Sequence, residues 1–270
     1  MRERRTVLAV ARIDVGVSTR EFVKAVEETV EHVSDRVSAL LLSPPVNPLH
    51  DLIVGRKRYS SYRNNLNNLL NKLSAVTRRR GLSLLLSPVL RRAGNKLYLT
   101  NAIIPPVGVP MFRGRGLIPS FPEVSSGPNF EVISVDNVNL CFSILDDLEV
   151  PEVFRICLFR KGDAVIAVNP PVLTKRDPEM TLSLAMTRAR ENRLPVIGVG
   201  GYAEAGSIQQ PTFIIRSDGK IAEISESPEP NIFEVEVPPV GKHYNLDLTR
   251  KYMKMVKEHI IGKVYVAEHG

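Results

Sequence analysis

Short apolar runs alternate with amphipathic segments along most of this chain, and no other feature of the sequence limits its possible folds as much. The apolar run at 7–13 is followed by Ser18 and Glu21, which have the spacing of a helix capping box, and then by apolar residues at helical intervals. A second apolar run, at 37–42, comes next. Strand, helix and strand in this order indicate parallel strands joined by a right-handed crossover. The pattern predicts an α/β fold.

The same alternation continues through the rest of the chain. We predict further helices at about 62–80, 150–160, 179–193 and 245–259, and strands at 82–86, 96–104, 132–135, 138–145, 164–168, 196–199, 212–216, 220–224 and 232–237. Segment 109–129 is rich in glycine and proline without a sustained period, so we expect it to be irregular and to line a site or an interface. Because no repeat or linker divides the sequence, residues 1–270 are predicted to form one domain, with 244–270 as a C-terminal helix and tail.

Composition excludes several classes of protein. Hydrophobic residues make up 43% of the chain and charged residues 24%, so the chain can bury a core and is not intrinsically disordered. No apolar run reaches the roughly 18 residues that a membrane span needs, and the N-terminus lacks the pattern of a secretory signal. We therefore expect a cytoplasmic protein without a membrane partner. Plentiful arginine, lysine and glutamate beside scarce glutamine are compatible with a thermophilic source.

The use of cysteine and histidine speaks against two kinds of site. Cys141 and Cys157 are the only cysteines and both sit in apolar segments, so the sequence predicts neither a disulfide framework nor a cysteine-rich zinc site. Cys157 is expected to be a small core residue of its helix. The histidines are dispersed without the spacing of metal ligands. We therefore predict no metal and no cofactor.

Four sequence blocks, taken in order, resemble the nitrilase or carbon–nitrogen hydrolase superfamily. The segment from Leu145 to Arg155, in which Asp147 is followed by Pro151 and Glu152, is similar to the region around that family's nucleophile. The other blocks are the strand–turn–strand segment 82–104, the arginine-rich helix 186–192 with the strand 196–199, and the strand–turn–strand segment 213–221. The resemblance implies a four-layer αββα sandwich, with mixed sheets covered by helices. It also implies that copies associate into a homo-oligomer.

The same resemblance implies a catalytic triad, and this sequence lacks all three members. The family uses a cysteine nucleophile, a glutamate as general base and acid, and a lysine that stabilises the tetrahedral intermediate. Here Pro45 occupies the glutamate position, Gly114 the lysine position and Leu145 the cysteine position. None of these side chains can do the chemistry of the residue it replaces. We therefore predict a catalytically inactive homologue that binds a small molecule or a protein partner, acts as a scaffold or forms oligomers.

Four other residues are expected to line the degenerate cleft. Glu123 stands where the family keeps a glutamate that orients the lysine, and Arg113 could supply a positive charge near the lysine position. Asp147 and Glu152 belong to the nucleophile block. Glu152 is expected to brace the junction between strand and helix, together with Arg155, rather than to react.

An active enzyme is the first alternative. An amidase-type carbon–nitrogen hydrolase with a rearranged site would have to use Cys141 or a bound water. Cys141 lies on the same face of its strand as Leu145, but four residues at about 3.3 Å each place it roughly 13 Å away. Such an enzyme also needs a carboxylate within hydrogen-bond reach of the sulfur.

Binding of a polyanion such as nucleic acid is the second alternative, and it starts from the net charge of +7. Tyr59 and Tyr62 lie beside one basic cluster and could stack on bases. The simpler interpretation, solvated helix ends in an arginine-rich protein, is favoured. The clusters that could converge into one patch are Arg56, Lys57 and Arg58, then Arg78, Arg79 and Arg80, then Arg91 with Arg92, and Arg113 with Arg115.

Overall fold

The computed structural model describes residues 6–56, 58–127 and 130–238, which lie within one compact unit, Met1–Pro239. Its helices are α1 (Thr19–His32), α2 (Asn47–Ile53), α3 (Tyr59–Arg80), α4 (Pro151–Phe159) and α5 (Pro178–Asn192). Its strands are β1 (Thr6–Arg12), β2 (Val37–Leu42), β3 (Ser83–Ala93), β4 (Lys96–Ile104), β5 (Met111–Arg115), β6 (Ile133–Val135), β7 (Val138–Ile144), β8 (Ala164–Val168), β9 (Val196–Val199), β10 (Gly201–Ala203), β11 (Ile208–Gln210), β12 (Thr212–Ile215), β13 (Ile221–Ser225) and β14 (Asn231–Val237). A 3-10 helix, Leu145–Glu149, joins β7 to α4. The predicted helix at 245–259 and the tail that begins at 244 lie outside the described residues.

Two mixed sheets of six strands form the centre of the molecule. The strand order is β14-β1-β2-β3-β4-β5 in the first sheet and β13-β12-β9-β8-β7-β6 in the second. The strands β1 to β3 run parallel, and so do β7 to β9, while the outer strands pair antiparallel. Helices α1, α2 and α3 cover the first sheet, and α4 and α5 cover the second. One apolar cluster includes Leu41 of β2 and Ile166 of β8, so the core lies between the sheets. The predicted αββα sandwich is confirmed.

Helices α1 and α3 begin or end at the signals that the sequence carries. The Ser18 hydroxyl accepts a hydrogen bond from the Glu21 N–H at 3.4 Å, and the Glu21 carboxylate accepts one from the Ser18 N–H at 3.0 Å. This is the predicted capping box. Helix α3 ends at Gly81, whose φ of 68° is left-handed, a conformation that glycine adopts without strain. No helix in the described part of the chain is long and apolar enough to cross a membrane.

Several elements differ from the sequence prediction: the short strands β10 and β11 were not predicted, β3 continues beyond its predicted end at 86 to Ala93, and β5 and α2 lie in segments without a predicted element. Strand β5 lies inside segment 109–129, which the sequence predicts to be irregular, and it forms because β4 offers it an edge to pair with. A pairing of this kind leaves no local period in the sequence. Helix α2 follows a run of prolines that reads as a loop, yet Pro48 sits in its first turn, where a missing N–H costs nothing.

The prediction that the chain has no disulfide is wrong. Cys141 of β7 and Cys157 of α4 are bonded to each other, with their Cα atoms 5.8 Å apart, and both side chains are fully buried. A Cβ atom at Gly162 would overlap both sulfurs, so the turn after α4 passes directly over the bond. The periods of strand and helix show which face of β7 carries Cys141 and which face of α4 carries Cys157. They do not show that these two faces pack against each other, so the sequence did not reveal the disulfide.

Candidate functional site

The topology brings the central strands of both sheets to a common end. The parallel strands of each sheet have the same direction, and Asp14, just after β1, forms a bridge with Tyr202, just after β9. The carboxyl ends of β1, β2, β7, β8 and β9 therefore lie at one end of the sandwich, which we call the carboxyl end. Pro45 follows β2 and Leu145 follows β7, so both lie there. Ligands of α/β proteins usually bind at such an end.

Strand β5 brings the third degenerate position to the same end. Gly114 is the extra residue of a bulge, because Arg113 opposes Asn101 of β4 while Arg115 opposes Thr100. Two residues further on, a Cβ atom at Gly116 would lie 3.7 Å from the Cβ of Ile144, the residue before Leu145. The structure thus places all three positions at the carboxyl end.

Leu145 makes the turn out of β7 in a strained conformation. Its φ is 52°, in the left-handed region, and its side chain is 1% exposed. A residue with a Cβ atom adopts this region at a cost of about 1–2 kcal/mol. Strain of this kind is concentrated at functional sites. The strained turn lies at the position that the resemblance assigns to the nucleophile, but the side chain there is a buried hydrocarbon.

Gly114 has a backbone role that excludes a lysine. Its φ is 66°, and a Cβ atom there would lie 2.8 Å from Nδ2 of the fully buried Asn101. The Asn101 Nδ2 donates to the Arg113 carbonyl at 2.9 Å, and the Gly114 N–H donates to the Glu131 carboxylate at 2.9 Å. Any side chain at this position would have to accept the strain and displace Asn101.

The space beside Pro45 is small. Pro45 is buried, and the cavity beside it has a volume of about 20 Å³. That is room for about one water molecule, whereas pockets for small ligands measure roughly 300–1,000 Å³. The cavity is lined chiefly by apolar side chains, including Pro44, Leu49, Leu66, Leu69 and Pro88.

Asp147 holds two segments of backbone together. Its carboxylate accepts hydrogen bonds from the N–H groups of Leu117 at 2.9 Å, Ile118 at 2.7 Å and Ile144 at 3.1 Å. Burial raises the pKa of Asp147 to about 6, although these three hydrogen bonds oppose the rise. The side chain is fully buried, so it fastens the loop after β5 to the turn at Leu145 and does not line an open cleft.

Arg176 is the residue of this region that the sequence did not reveal. Its Nη2 donates to the Leu145 carbonyl and to Asn169 Oδ1, both at 2.7 Å, and its Nη1 is 2.8 Å from the Glu149 carboxylate and 3.2 Å from that of Asp146. Its side chain is only 4% exposed. The one sequence signal is the pair of carboxylates Asp146 and Glu149, three residues apart just before a helix, which together need a cation nearby. The arginine supports the strained turn from outside the nucleophile block.

The other predicted site residues do not form a catalytic group. Cys141 is inside β7 and bonded to Cys157, so it has no free thiol. Glu152 forms an exposed ion pair with Arg155 at 2.8 Å on the first turn of α4, and Glu123 and Arg113 are exposed. No three histidine, cysteine, aspartate or glutamate side chains among the described residues come together as a metal site requires.

The two basic clusters of α3 lie apart. Arg56 and Arg58 precede the helix, Arg78, Arg79 and Arg80 form its last turn, and Lys57 lies outside the described residues. A helix of 22 residues separates them by about 30 Å, at about 1.5 Å per residue. In addition, Arg79 is paired with Glu27 at 2.6 Å and Arg80 with Asp35 at 3.7 Å. These clusters therefore do not converge into one patch.

The fold has clear counterparts among solved structures. No family model matches the chain, and no curated protein matches it in sequence. A cysteine-to-alanine mutant of the Nesterenkonia AN1 amidase, from the nitrilase superfamily, superposes with a TM-score of 0.72 over 93% of this chain and 98% of the amidase, at 15% identity. The crystal structure of an amidase from Nesterenkonia sp. gives a TM-score of 0.71 with 15% identity, over 93% of this chain and 98% of that chain.

A third structure is similar to the same degree. It is a glutamate-to-glutamine mutant of the Nesterenkonia sp. AN1 amidase, with the acetamide moiety of fluoroacetamide added covalently at the active-site cysteine. Its TM-score is 0.71 at 15% identity, over 93% of this chain and 98% of that chain. The chain therefore has the nitrilase fold, and at this identity the likeness concerns the fold alone.

Proposed function

We propose that this chain, which has the fold of the nitrilase superfamily, does not hydrolyse amides or nitriles and acts by binding a macromolecular partner. The observation that carries the proposal is Leu145. It stands at the position that the resemblance assigns to the nucleophile, in a left-handed turn, and its side chain has no nucleophile. Covalent catalysis on this fold needs a thiolate at that turn, and a leucine cannot be activated by any neighbouring base.

The two other replacements support the same proposal. Pro45 has no proton to exchange, so the general base is missing. Gly114 has no side chain, and its bulge leaves no room for a donor aimed at an oxyanion. A neighbouring residue could compensate for the loss of one catalytic group. The loss of three chemically different groups at one end of the sandwich favours a protein that does not catalyse this reaction.

A rearranged site at Cys141 has little support. A disulfide sulfur is neither a thiolate nor a metal ligand, and Cys141 is fully buried between β7 and α4. Reduction of the bond would free a thiol, but that thiol would still lie on the helix-covered face of the sheet.

The space beside Pro45 is too small for an amide substrate, since the cavity there has a volume of about 20 Å³. Clefts of about 990 and 800 Å³ lie elsewhere on the described surface, and none of Pro45, Gly114 and Leu145 lines them. The proposal of a macromolecular partner is therefore based on the outer surface, where arginines such as Arg91 and Arg92 are exposed.

Hydrolysis assays test the proposal. The purified protein, with and without a reductant, is incubated with a panel of short amides and nitriles, and ammonia release is measured. We expect no ammonia release above the background rate of the substrates incubated without protein, and the same result for Leu145→Ala, because that change removes nothing that reacts. Turnover that exceeds this background, and is lost in Cys141→Ala, would overturn the proposal in favour of the rearranged hydrolase.

A further inference from the structure

An arginine-rich surface surrounds the hairpin that β3 and β4 form at the carboxyl end. Strand β2 stops pairing with β3 at Leu86, but β3 continues to Ala93, so the hairpin projects past its neighbour. Every residue of its tip, 91–96, is exposed. The N-terminus of α3 and the strand β5 flank it. What we call the hairpin surface consists of Arg58, Tyr59, Arg91, Arg92, Lys96, Tyr98, Phe112, Arg113 and Arg115.

Three guanidinium groups of the hairpin surface lie over aromatic rings, within cation–π distance. The Cζ of Arg91 lies 3.9 Å from the ring centre of Phe112, and that of Arg115 lies 4.2 Å from the ring centre of Tyr98. On the opposite face of the hairpin, the Cζ of Arg92 is 5.0 Å from the ring centre of Tyr59. A guanidinium that is positioned over a ring can still bind another molecule through its N–H groups.

The described residues of the chain do not neutralise the charges of this surface. In the described part of the protein, none of the five arginines forms an ion pair, whereas Arg79 and Arg80 at the far end of α3 both do. Two carboxylates lie near, namely Glu123, which precedes the bridge of Val124 to Leu97, and Glu131, which accepts the Gly114 N–H. The positive charge of five arginines and a lysine therefore exceeds the negative charge of the two glutamates.

We propose that the hairpin surface binds single-stranded nucleic acid. Guanidinium groups bind phosphate oxygens through their N–H edges and stack on bases through their faces, and a single strand offers both at every nucleotide. The arginines stand on an open projection and not in a cavity, which suits an extended anion better than a small one. A single strand is also favoured over a duplex, because Arg91 and Arg92 are consecutive strand residues and point to opposite faces. Only a flexible chain can follow both faces around the tip.

This inference does not depend on the loss of hydrolysis. The hairpin surface lies beside the degenerate centre but shares none of its three replaced positions. A hydrolase could carry such a surface too, so a failure of the binding experiment and a failure of the activity assay are separate results.

Fluorescence anisotropy with a labelled single-stranded oligonucleotide of about 20 nucleotides tests the proposal, first at about 50 mM salt and then over a salt series. For Arg91→Ala/Arg92→Ala we expect about tenfold weaker binding, since stacking and phosphate contacts are both lost. The slope of log affinity against log salt should become shallower by about 1.4, or about 0.7 for each lost phosphate contact. Arg91→Lys/Arg92→Lys, which keeps the charge but loses the flat face, should bind about threefold more weakly than the wild type.

Arg78→Ala/Arg79→Ala is the matched control, because it removes the same charge from the far end of α3. We expect its affinity to stay within about twofold of the wild type, and thermal unfolding must show that all variants are folded. Equal weakening by the two alanine pairs would mean that only net charge matters and would overturn the proposal. Absence of binding by the wild type at low salt, or tighter binding of a duplex of the same length, would overturn it as well.

Discussion

Leu145 and Gly114 both have left-handed backbone conformations, yet they relate to function in different ways. At Gly114 the residue type fits the conformation, and a lysine there would create strain that the present chain avoids. At Leu145 the residue type opposes the conformation, and the turn persists because Arg176 and Asp147 hold the backbone on both sides. The strained turn therefore depends on its hydrogen bonds and not on the residue that occupies it.

Gly114→Ala should destabilise the protein by more than a glycine change at an open left-handed position. Both such changes bring backbone strain of about 1–2 kcal/mol, but only at Gly114 must the new Cβ displace Asn101. Gly81→Ala is the control, since a Cβ there meets nothing within 4 Å. Urea unfolding should show a larger loss for Gly114→Ala. Equal losses would mean that Asn101 moves aside without cost.

Because of Asp147, the free energy of unfolding should decrease as the pH rises, which is the opposite of the usual effect of a carboxylate. Its pKa of about 6 is above the ordinary 3.8, because burial disfavours the charged form. Between pH 3.8 and about 6, Asp147 therefore keeps its proton in the folded protein, whereas it has lost the proton in the unfolded chain. The stability that this proton provides is complete below pH 4 and is lost as the pH rises through 6, which amounts to roughly 3 kcal/mol.

The free energy of unfolding, measured from pH 4 to pH 7, should fall more for the wild type than for Asp147→Asn, which cannot titrate. Asp218→Asn is the comparison, because Arg216 lowers the pKa of that exposed carboxyl and its effect has the opposite sign. Parallel curves for the wild type and Asp147→Asn would contradict the raised pKa.

At the scale of elements, the strand–helix unit of β7 and α4 is joined by the disulfide. The bond closes a loop with a sequence separation of 16 and ties β7, which ends just before Leu145, to the helix α4 that follows it. A crosslink of this span stabilises a protein by about 3 kcal/mol, mainly by restricting the unfolded chain.

Cys141→Ala, Cys157→Ala and the double variant should all lose about 3 kcal/mol, because each removes the same crosslink. Denaturant unfolding measures this, and a reductant present during unfolding should lower the wild type to nearly the same level. Free thiols in the denatured, unreduced wild type would show that the bond is not formed. That result would remove the main argument against Cys141 as a nucleophile.

At the scale of the whole molecule, Arg12 links the first sheet to the region around the second. It belongs to β1, and it donates hydrogen bonds to the carbonyls of Gln210, Glu226 and Ser227. The side chain is fully buried, and this burial lowers its pKa to about 10. Backbone oxygens from two distant segments thus take the place of water around a buried cation.

Arg12→Met should lower the free energy of unfolding by about 3 kcal/mol, since it leaves the buried carbonyl of Gln210 and the partly buried carbonyls of Glu226 and Ser227 without a donor. Arg216→Met is the control, because its ion pair with Asp218 at 3.2 Å is exposed and should contribute less than about 1 kcal/mol. Chemical denaturation of both variants gives the comparison. An equally small loss for Arg12→Met would mean that the two sheets stay together without this link.

Much of the fold could be predicted from the sequence, because its signals are local. The capping box of α1 joins residues three positions apart, and the apolar residues recur within one turn of a helix or two residues of a strand. Helix α3 ends before Gly81, because a glycine adopts the left-handed conformation that ends a helix. The replaced positions Pro45, Gly114 and Leu145 could be found in the same way, since each lies at a short, fixed spacing from neighbouring motif residues.

What the tertiary structure alone decided depends on segments that are distant in the sequence. Arg176 reaches the Leu145 carbonyl across 31 residues, and β5 exists only because β4 offers it an edge. The rigid length of α3 separates the two basic clusters at its ends, while strand pairing places Arg91 against Phe112. Residue type and spacing determine which elements form, but packing determines which faces meet. The sequence therefore predicted which positions are replaced and which arginines could come together, and only the structure decided which of these arginines lie beside one another.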